Sequence, residues 1–314
     1  MKRIGLVGAR GHVGRELIRL LAGREDMGLA FASSRAMAGA PATALAPEAP
    51  EGLTIEALGP EGVAGKDVDA VVLALPNGEA APYVAAIEAA RPGAVIVDLS
   101  ADYRFDDAWA YGLPELQGRE RLRGATRIAN PGCYATAGQF CVAPVRDRLA
   151  GPAHLFGVSG YSGAGTSPSR RNDPVALADN LMPYGLTGHL HEREMSRHLG
   201  GEVRFSPHVA AFFRGLIVTA QLEFADPLDE ATLRNAYVRG FADEPLIEIV
   251  EDRVPEITDG ANQNGAAVGG FALGEDGRRA VMVCALDNLL KGAAVQAIQN
   301  LALALELDEF DGLV

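Results

Sequence analysis

The sequence predicts an α/β protein in two parts: an N-terminal domain on a parallel sheet, then an α+β domain on a mixed sheet. Three observations predict this. Short apolar runs alternate with helical patterns through the first 130 residues, a glycine-rich turn follows the first run, and after Cys133 strand-like runs succeed one another with few helices between. Strands alternating with helices mean βαβ units with right-handed crossovers. Consecutive, partly alternating strands mean a mixed or antiparallel sheet.

In order along the chain, residues 3–7, 29–33, 70–75 and 94–99 read as strands, with helices at 12–21 and 80–90. Segment 36–60 is rich in Ala, Pro and Gly and reads as a long loop with at most one strand, 53–58. The second part offers strands at 155–159, 203–209, 216–224, 267–273 and 280–285. The Ala/Leu/Gln-rich stretch 289–307 reads as a closing helix.

Composition narrows the function classes. At 314 residues the chain buries about three quarters of its surface. It therefore needs neither disulfides nor a structural metal. The net charge of −13 and the absence of basic runs argue against nucleic-acid or anionic-membrane binding. No run approaches the length of a membrane span, and no apolar segment precedes the glycine-rich start. Three scattered cysteines, Cys133, Cys141 and Cys284, fit a reducing cytoplasm and no disulfide framework.

The first strand runs into Gly8-Ala9-Arg10-Gly11-His12-Val13-Gly14 and then a helix. This G-x-x-G-x-x-G turn suits a dinucleotide pyrophosphate. Gly8 permits the tight turn, Gly11 lets the backbone approach the phosphates, and Gly14 lets helix and strand pack closely. Its position at the head of a βαβ series makes it a Rossmann signal. The second strand ends in Ser33-Ser34-Arg35, where an NAD-selective site places an acidic residue. A guanidinium there attracts a 2′-phosphate, so the expected cofactor is NADP. The alternative is that Arg35 is a solvated loop charge. The expected cofactor set is Gly8, Ala9, Arg10, Gly11, His12, Val13, Gly14, Ser33, Ser34, Arg35, Pro76 and Asn288.

Asn130-Pro-Gly-Cys133-Tyr134-Ala-Thr136 is a sharp turn leading into a helical pattern. A cysteine at a helix N-terminus has its thiolate stabilised by free N–H groups and the dipole, and a thiolate attacks acyl carbons well. Cys141 and Cys284 lie in apolar runs and read as core. Downstream, Gly188-His189-Leu-His191-Glu192-Arg-Glu194 opens an amphipathic helix. His191 and Glu194 are spaced i, i+3 on one face, which suits a carboxylate-oriented imidazole; a purely structural histidine is the alternative, and His189 is the rival for the role. The pattern is not H-E-x-x-H and no further ligand is evident, so no metal is expected. The loop Ser159-Gly-Tyr-Ser162-Gly-Ala-Gly165 reads as an anion nest or as a plain turn. Arg104 and Arg214 are suited to clamping a carboxylate or phosphate. Asn288 is suited to capping the closing helix. The expected substrate set is Arg104, Tyr134, Ser162, His208 and Arg214.

With these segments in order, the chain resembles the N-acetyl-γ-glutamyl-phosphate reductases of arginine biosynthesis, within the aspartate-semialdehyde dehydrogenase-like superfamily. The resemblance rests on the Gly8–Gly14 turn, Leu99-Ser-Ala-Asp-Tyr-Arg-Phe105, Tyr111-Gly-Leu-Pro-Glu115, the Cys133 segment, the Ser159–Gly165 loop, His189–Glu194, Phe205-Ser-Pro-His208 and Asp287-Asn-Leu-Leu-Lys-Gly292. It implies Cys133 as nucleophile with His191 and Glu194 beside it in catalysis. It also implies an NADP-binding Rossmann domain of residues 1–132 plus 288–314, and a catalytic and oligomerisation domain of residues 133–287. The implied partners are a small acyl-phosphate substrate and further copies of the chain, as a homodimer or homotetramer. Asn77 stands where the family usually has His, and Leu190 and Arg193 depart from its H-R-H-x-P-E pattern. The nearest rivals are aspartate-semialdehyde dehydrogenase, an aminoadipate-phosphate reductase, and a non-enzymatic NADP sensor. A short-chain dehydrogenase is excluded, since no Tyr is followed four residues later by Lys.

Overall fold

A computed structural model describes residues 1–314. The chain divides into two compact units, Met1–Pro131 with Ala293–Val314, and Gly132–Gly292.

The first unit opens with strand β1 (Lys2–Val7), whose last four residues are buried, as a strand covered on both faces requires. Helix α1 (His12–Ala22) follows, with Leu17, Ile18, Leu20 and Leu21 inward, then β2 (Met27–Ser33). The 36–60 segment contains no strand. Only isolated bridges, Ser33 with Glu56 and Pro41 with Thr54, form there; the expected 53–58 strand is replaced by loop hydrogen bonds from Ser34 N–H to Glu56 O and from Ile55 N–H to Ala40 O. The unit continues through α2 (Pro60–Ala64), β3 (Ala70–Leu73), α3 (Ala81–Ala90) and β4 (Val95–Asp98). Then come β5 (Ala110–Tyr111), α4 (Pro114–Gln117) and β6 (Arg127–Ala129). The six strands lie in the order β2-β1-β3-β4-β6-β5, all parallel. Connections leave β1 and β3 on opposite sides, so a topological switch point opens between them at their carboxyl ends.

The second unit begins with α5 (Cys133–Val142), followed by β7 (Ala153–Gly160), α6 (Pro174–Leu177), β8 (Leu181–Pro183), α7 (Leu190–Leu199), β9 (Val203–Ala210) and β10 (Leu216–Glu223). It ends with α8 (Glu230–Gly240), β11 (Ile247–Val250), α9 (Ile257–Gly260), β12 (Ala266–Leu273) and β13 (Arg279–Leu286). These strands form one mixed sheet, β11-β12-β13-β10-β7-β9-β8. Only β11/β12 and β7/β9 pair in parallel. In β7, β9 and β10 buried and more exposed residues alternate, so one face carries α5 and α7 while the other is left open.

The chain re-enters the first unit through α10 (Val295–Ala304), buried along its whole length. The closing helix expected from 289 is interrupted: Leu290–Ala294 is a π-helical turn, in which Gly292 N–H donates back to Asp287 O at 2.9 Å. Asn288 does not cap it. That side chain accepts from Gly215 N–H at 2.9 Å and donates to Ser162 Oγ at 2.8 Å. Hence the second unit holds Asn288, and the return falls at Ala293 instead of 288.

Candidate active site

The first unit carries the dinucleotide features. A Cβ on Gly8 would lie 2.1 Å from Ala74 O and one on Gly14 2.6 Å from Ala9 O, so both close approaches demand glycine. At Gly11 the nearest atom to an added Cβ is Gly8 O at 3.5 Å. The protein itself leaves that space open, which fits a group lying against the backbone there. The N–H groups of Gly8 and Ala9 donate to Ser33 O at 3.0 and 3.1 Å, so they tie the turn to β2 and do not face a phosphate. In the first turn of α1 the N–H groups of Val13 and Gly14 have no helical acceptor, the arrangement that suits an anion. Ser33 is buried and its hydroxyl accepts from Leu58 N–H. Arg35 is exposed just beyond the carboxyl end of β2, and Pro76 is exposed beyond the end of β3.

Arg104 is placed differently from its expected role. Its guanidinium is buried in the first unit and donates to Asn130 O at 2.8 Å and Leu99 O at 2.9 Å. It clamps main chain, and a substrate anion would have to compete with those carbonyls.

In the second unit Cys133 is the first residue of α5, preceded by Gly132 in extended conformation (ψ 149°). The Pro131-Gly132 turn exists to make that entry. Cys133 is half-buried, and Gly292 packs on it so closely that a Cβ there would lie 2.6 Å from Cys133 Cβ. Cys141 and Cys284 are fully buried; burial pushes the Cys141 thiol well up, which makes it a poor nucleophile.

Helix α7 supplies the polar partners. Glu194 is fully buried, and its carboxylate accepts from Gly132 N–H at 2.9 Å. It thus fixes the N-terminal entry of the cysteine helix, a contact that the i, i+3 spacing with His191 does not reveal. His189 caps α7: its Nδ1 accepts from His191 N–H at 3.2 Å. Aromatic rings then close around this end of α5. Tyr134 lies 6.0 Å from His191, His191 5.0 Å from His189, and His189 5.6 Å from Tyr184. Tyr134 OH donates to His208 O at 2.6 Å, and the His208 ring lies tilted against Phe156, 4.4 Å between centroids.

The electrostatics follow from burial. Tyr184 is pushed up to about 12, first by burial and then by the negative charge of Cys133, with Arg171 acting the other way. Burial likewise raises Tyr134 well above its usual value, helped by the charges of Tyr184 and Cys133. Both phenols therefore stay protonated beside the cysteine. Burial lowers His189 below the usual 6.5, opposed by Glu192 and assisted by Arg171. Its folded state favours the neutral ring, so its contribution to stability is present above 6.5 and lost as pH falls from there through the folded value. His189→Asn, which keeps a cap acceptor, is expected to lessen the loss of thermal stability over that acid window. Unchanged pH dependence of Tm in the variant contradicts this.

The remaining polar residues form a scaffold. Arg214 pairs with buried Asp287 at 2.6 and 3.1 Å, and Asp287 also accepts from the N–H groups of Asn262 and Leu289. Ser162 is buried under Asn288. The expected anion nest does not form from the N–H groups of Gly160, Tyr161, Ser162 and Gly165, which donate to Gly215, Phe212, Phe213 and Ser162 carbonyls. The loop between β9 and β10 takes the first three of these donors, and the Gly165 bond closes a local turn.

A parallel-sheet unit with a glycine turn of dinucleotide-binding type, and a mixed-sheet unit with a cysteine at the N-terminus of a helix whose Tyr134 packs against His191, define a nicotinamide-dependent oxidoreductase. The chain belongs to the semialdehyde dehydrogenase family: residues 3–125 match its NAD binding domain and residues 133–288 its dimerisation domain. It is 53% identical over 310 residues to the N-acetyl-gamma-glutamyl-phosphate reductase of Xanthomonas campestris, covering 99% of this chain and 98% of that protein. It is 55% identical to the protein of that name from Stenotrophomonas maltophilia, covering 99% and 97%. Among solved structures, aspartate semialdehyde dehydrogenase II of Vibrio cholerae is similar at a TM-score of 0.78 and 18% identity, covering 98% and 99%. That from Candida albicans, solved with NADP, is similar at 0.71 and 17%, covering 98% of each chain. No helix is long and apolar enough to cross a membrane.

Proposed function

We propose that this enzyme reduces N-acetyl-γ-glutamyl phosphate to N-acetylglutamate γ-semialdehyde and phosphate in arginine biosynthesis, through a thioester on Cys133. The observation that carries the reading is Cys133 as the first residue of α5 in a chain 53–55% identical along its length to reductases of that name.

The Cys133 thiolate, stabilised by the N-terminus of α5, attacks the γ-acyl carbon; the acyl–oxygen bond breaks and phosphate leaves with its electron pair. The dinucleotide, when bound, supplies the hydride that adds to the thioester carbonyl. His191 stabilises the resulting tetrahedral oxygen by lending it a proton, and takes that proton back as the oxygen becomes the aldehyde carbonyl. Collapse breaks the carbon–sulfur bond, releasing aldehyde and restoring the thiolate. Glu194 keeps α5 in register through Gly132 and orients the α7 face that carries His191. Tyr134 and His208 frame the substrate, while Ser162 and Arg214 support that frame from behind through Asn288 and Asp287.

The Val13 and Gly14 N–H groups with Arg10 and His12 hold the pyrophosphate, and Ser34 and Arg35 the ribose end. Arg35 supports a preference for NADPH. Arg35→Ala is expected to raise the KM for NADPH about tenfold or more and that for NADH far less; equal losses in steady-state kinetics contradict the assignment. The open face of the mixed sheet, with Phe156 42% exposed, supports self-association as a dimer or tetramer through this unit.

The reverse reaction tests the function. N-acetylglutamate γ-semialdehyde with NADP is expected to yield at most one equivalent of NADPH per Cys133 without phosphate, and to turn over continuously once phosphate is added. A preference for aspartate semialdehyde, or no phosphate dependence, overturns the reading.

A further inference from the structure

Arg104 clamps main-chain carbonyls and Arg214 is neutralised by Asp287, so neither presents an unmatched cation to a substrate. Arg171 does. Its guanidinium lies over the Tyr184 ring, 4.9 Å from the centroid, and no carboxylate pairs with it. The turn that carries it is pinned: Ser169 and Asn172 form a reciprocal capping box, and Asn172 Nδ2 donates to Gly165 O and Ser167 O at 2.9 and 2.8 Å. Tyr184 is anchored in turn, its N–H donating to Pro207 O on β9 and its ring set edge-on to His189.

This stack continues the run of rings from Tyr134, the residue after Cys133, through His191 and His189. The Arg171 guanidinium and the His189 ring both lie against Tyr184, and the charge of Cys133 reaches the same phenol. A guanidinium held over an aromatic ring still has N–H donors for bidentate capture of a carboxylate. In a chain of net charge −13, such an unmatched cation is a strong local attractor for an anion.

We propose that Arg171, held over Tyr184, binds the α-carboxylate of the substrate while the γ-acyl carbon sits at Cys133. The assignment rests on the reductase function proposed above. Of the two anionic groups of an acyl-phosphate amino acid, the phosphate leaves from the acyl carbon at the cysteine. The α-carboxylate lies along a short aliphatic chain away from it, on the side lined by Tyr134 and Tyr184. Arg171 is then a specificity-determining residue, selecting acyl phosphates that carry this second anion.

Two measurements on the purified full-length enzyme test it. In the reverse reaction, Arg171→Ala is expected to raise the KM for N-acetylglutamate γ-semialdehyde about 10–100-fold with little change in kcat and none in the KM for phosphate. Arg171→Lys, which keeps the charge and loses the fork, should fall between. A rise confined to the phosphate KM, or no change in either, overturns the proposal. Calorimetry needs no turnover: the wild type should bind N-acetylglutamate more tightly than N-acetyl-4-aminobutyrate, which lacks the α-carboxylate, and Arg171→Ala should abolish that difference. Loss of discrimination in an enzyme that turns over a different substrate sustains the clamp while the reductase reading fails. Retained discrimination in a fully active enzyme does the reverse.

Discussion

Cys133→Ser is expected to lower kcat by a factor on the order of 10⁴ or more while leaving dinucleotide binding unchanged. The thiolate is the only nucleophile that the start of α5 presents, and serine at the same place lacks both the acidity and the leaving ability that a thioester route needs. Residues 8–14 and 33–35, the proposed dinucleotide site, belong to the other unit, so NADPH binding followed by fluorescence provides the internal control. Cys141 and Cys284 are fully buried, with the Cys141 thiol directed to Val218 O. Cys141→Ala and Cys284→Ala should cost thermal stability by opening small cavities and leave kcat near wild type. Loss of turnover in either buried variant at full folding, or full activity in Cys133→Ser, contradicts the assignment.

His191→Ala is expected to reduce kcat by about 10²–10⁴-fold, the usual contribution of a positioned proton-transfer group. Glu194→Gln should cost less. Its amide oxygen can still accept from Gly132 N–H, so the entry to α5 is kept and only the negative charge is removed. Glu194→Ala should cost more, because it leaves that buried N–H without its acceptor. His189→Ala should also cost less than His191→Ala, since His189 acts through the cap of α7. Steady-state kinetics with pH–rate profiles separate the readings. An acid–base role lowers kcat and removes one limb of the profile, whereas a positioning role raises KM and leaves kcat nearly intact.

The long, strongly patterned elements were readable from sequence. The runs at 3–7, 70–75 and 203–209 lie within a residue or two of β1, β3 and β9, because strands buried on both faces or alternating between faces leave a clear apolar signature. Strands β5, β6, β8 and β11 span two to four residues each, too short for any period to appear. The π turn at Leu290–Ala294 also left no trace, since it depends on Asp287 O reaching Gly292 N–H and on Gly292 lying against Cys133.

Legibility of the site divides in the same way. Cysteine after Pro-Gly reads as a helix-start residue because the turn chemistry is local. The partners of Arg104 and Arg214 are non-local, and spacing cannot say whether a guanidinium meets a carbonyl, a carboxylate or a ligand. Tyr184 and Arg171 were missed for that reason. Tyr184 sits five residues before His189 in a Gly-bounded loop, and an aromatic so close to a candidate histidine was the one signal available.

The central claim is a covalent acyl intermediate on Cys133. Incubating the enzyme with N-acetylglutamate γ-semialdehyde and NADP, with phosphate withheld, should accumulate the thioester. Mass spectrometry of the quenched and digested protein is then expected to find the N-acetylglutamyl adduct on the peptide bearing Cys133 and to lose it when phosphate is added before quenching. An adduct on another residue, or NADPH formation with no adduct at Cys133, would contradict the account.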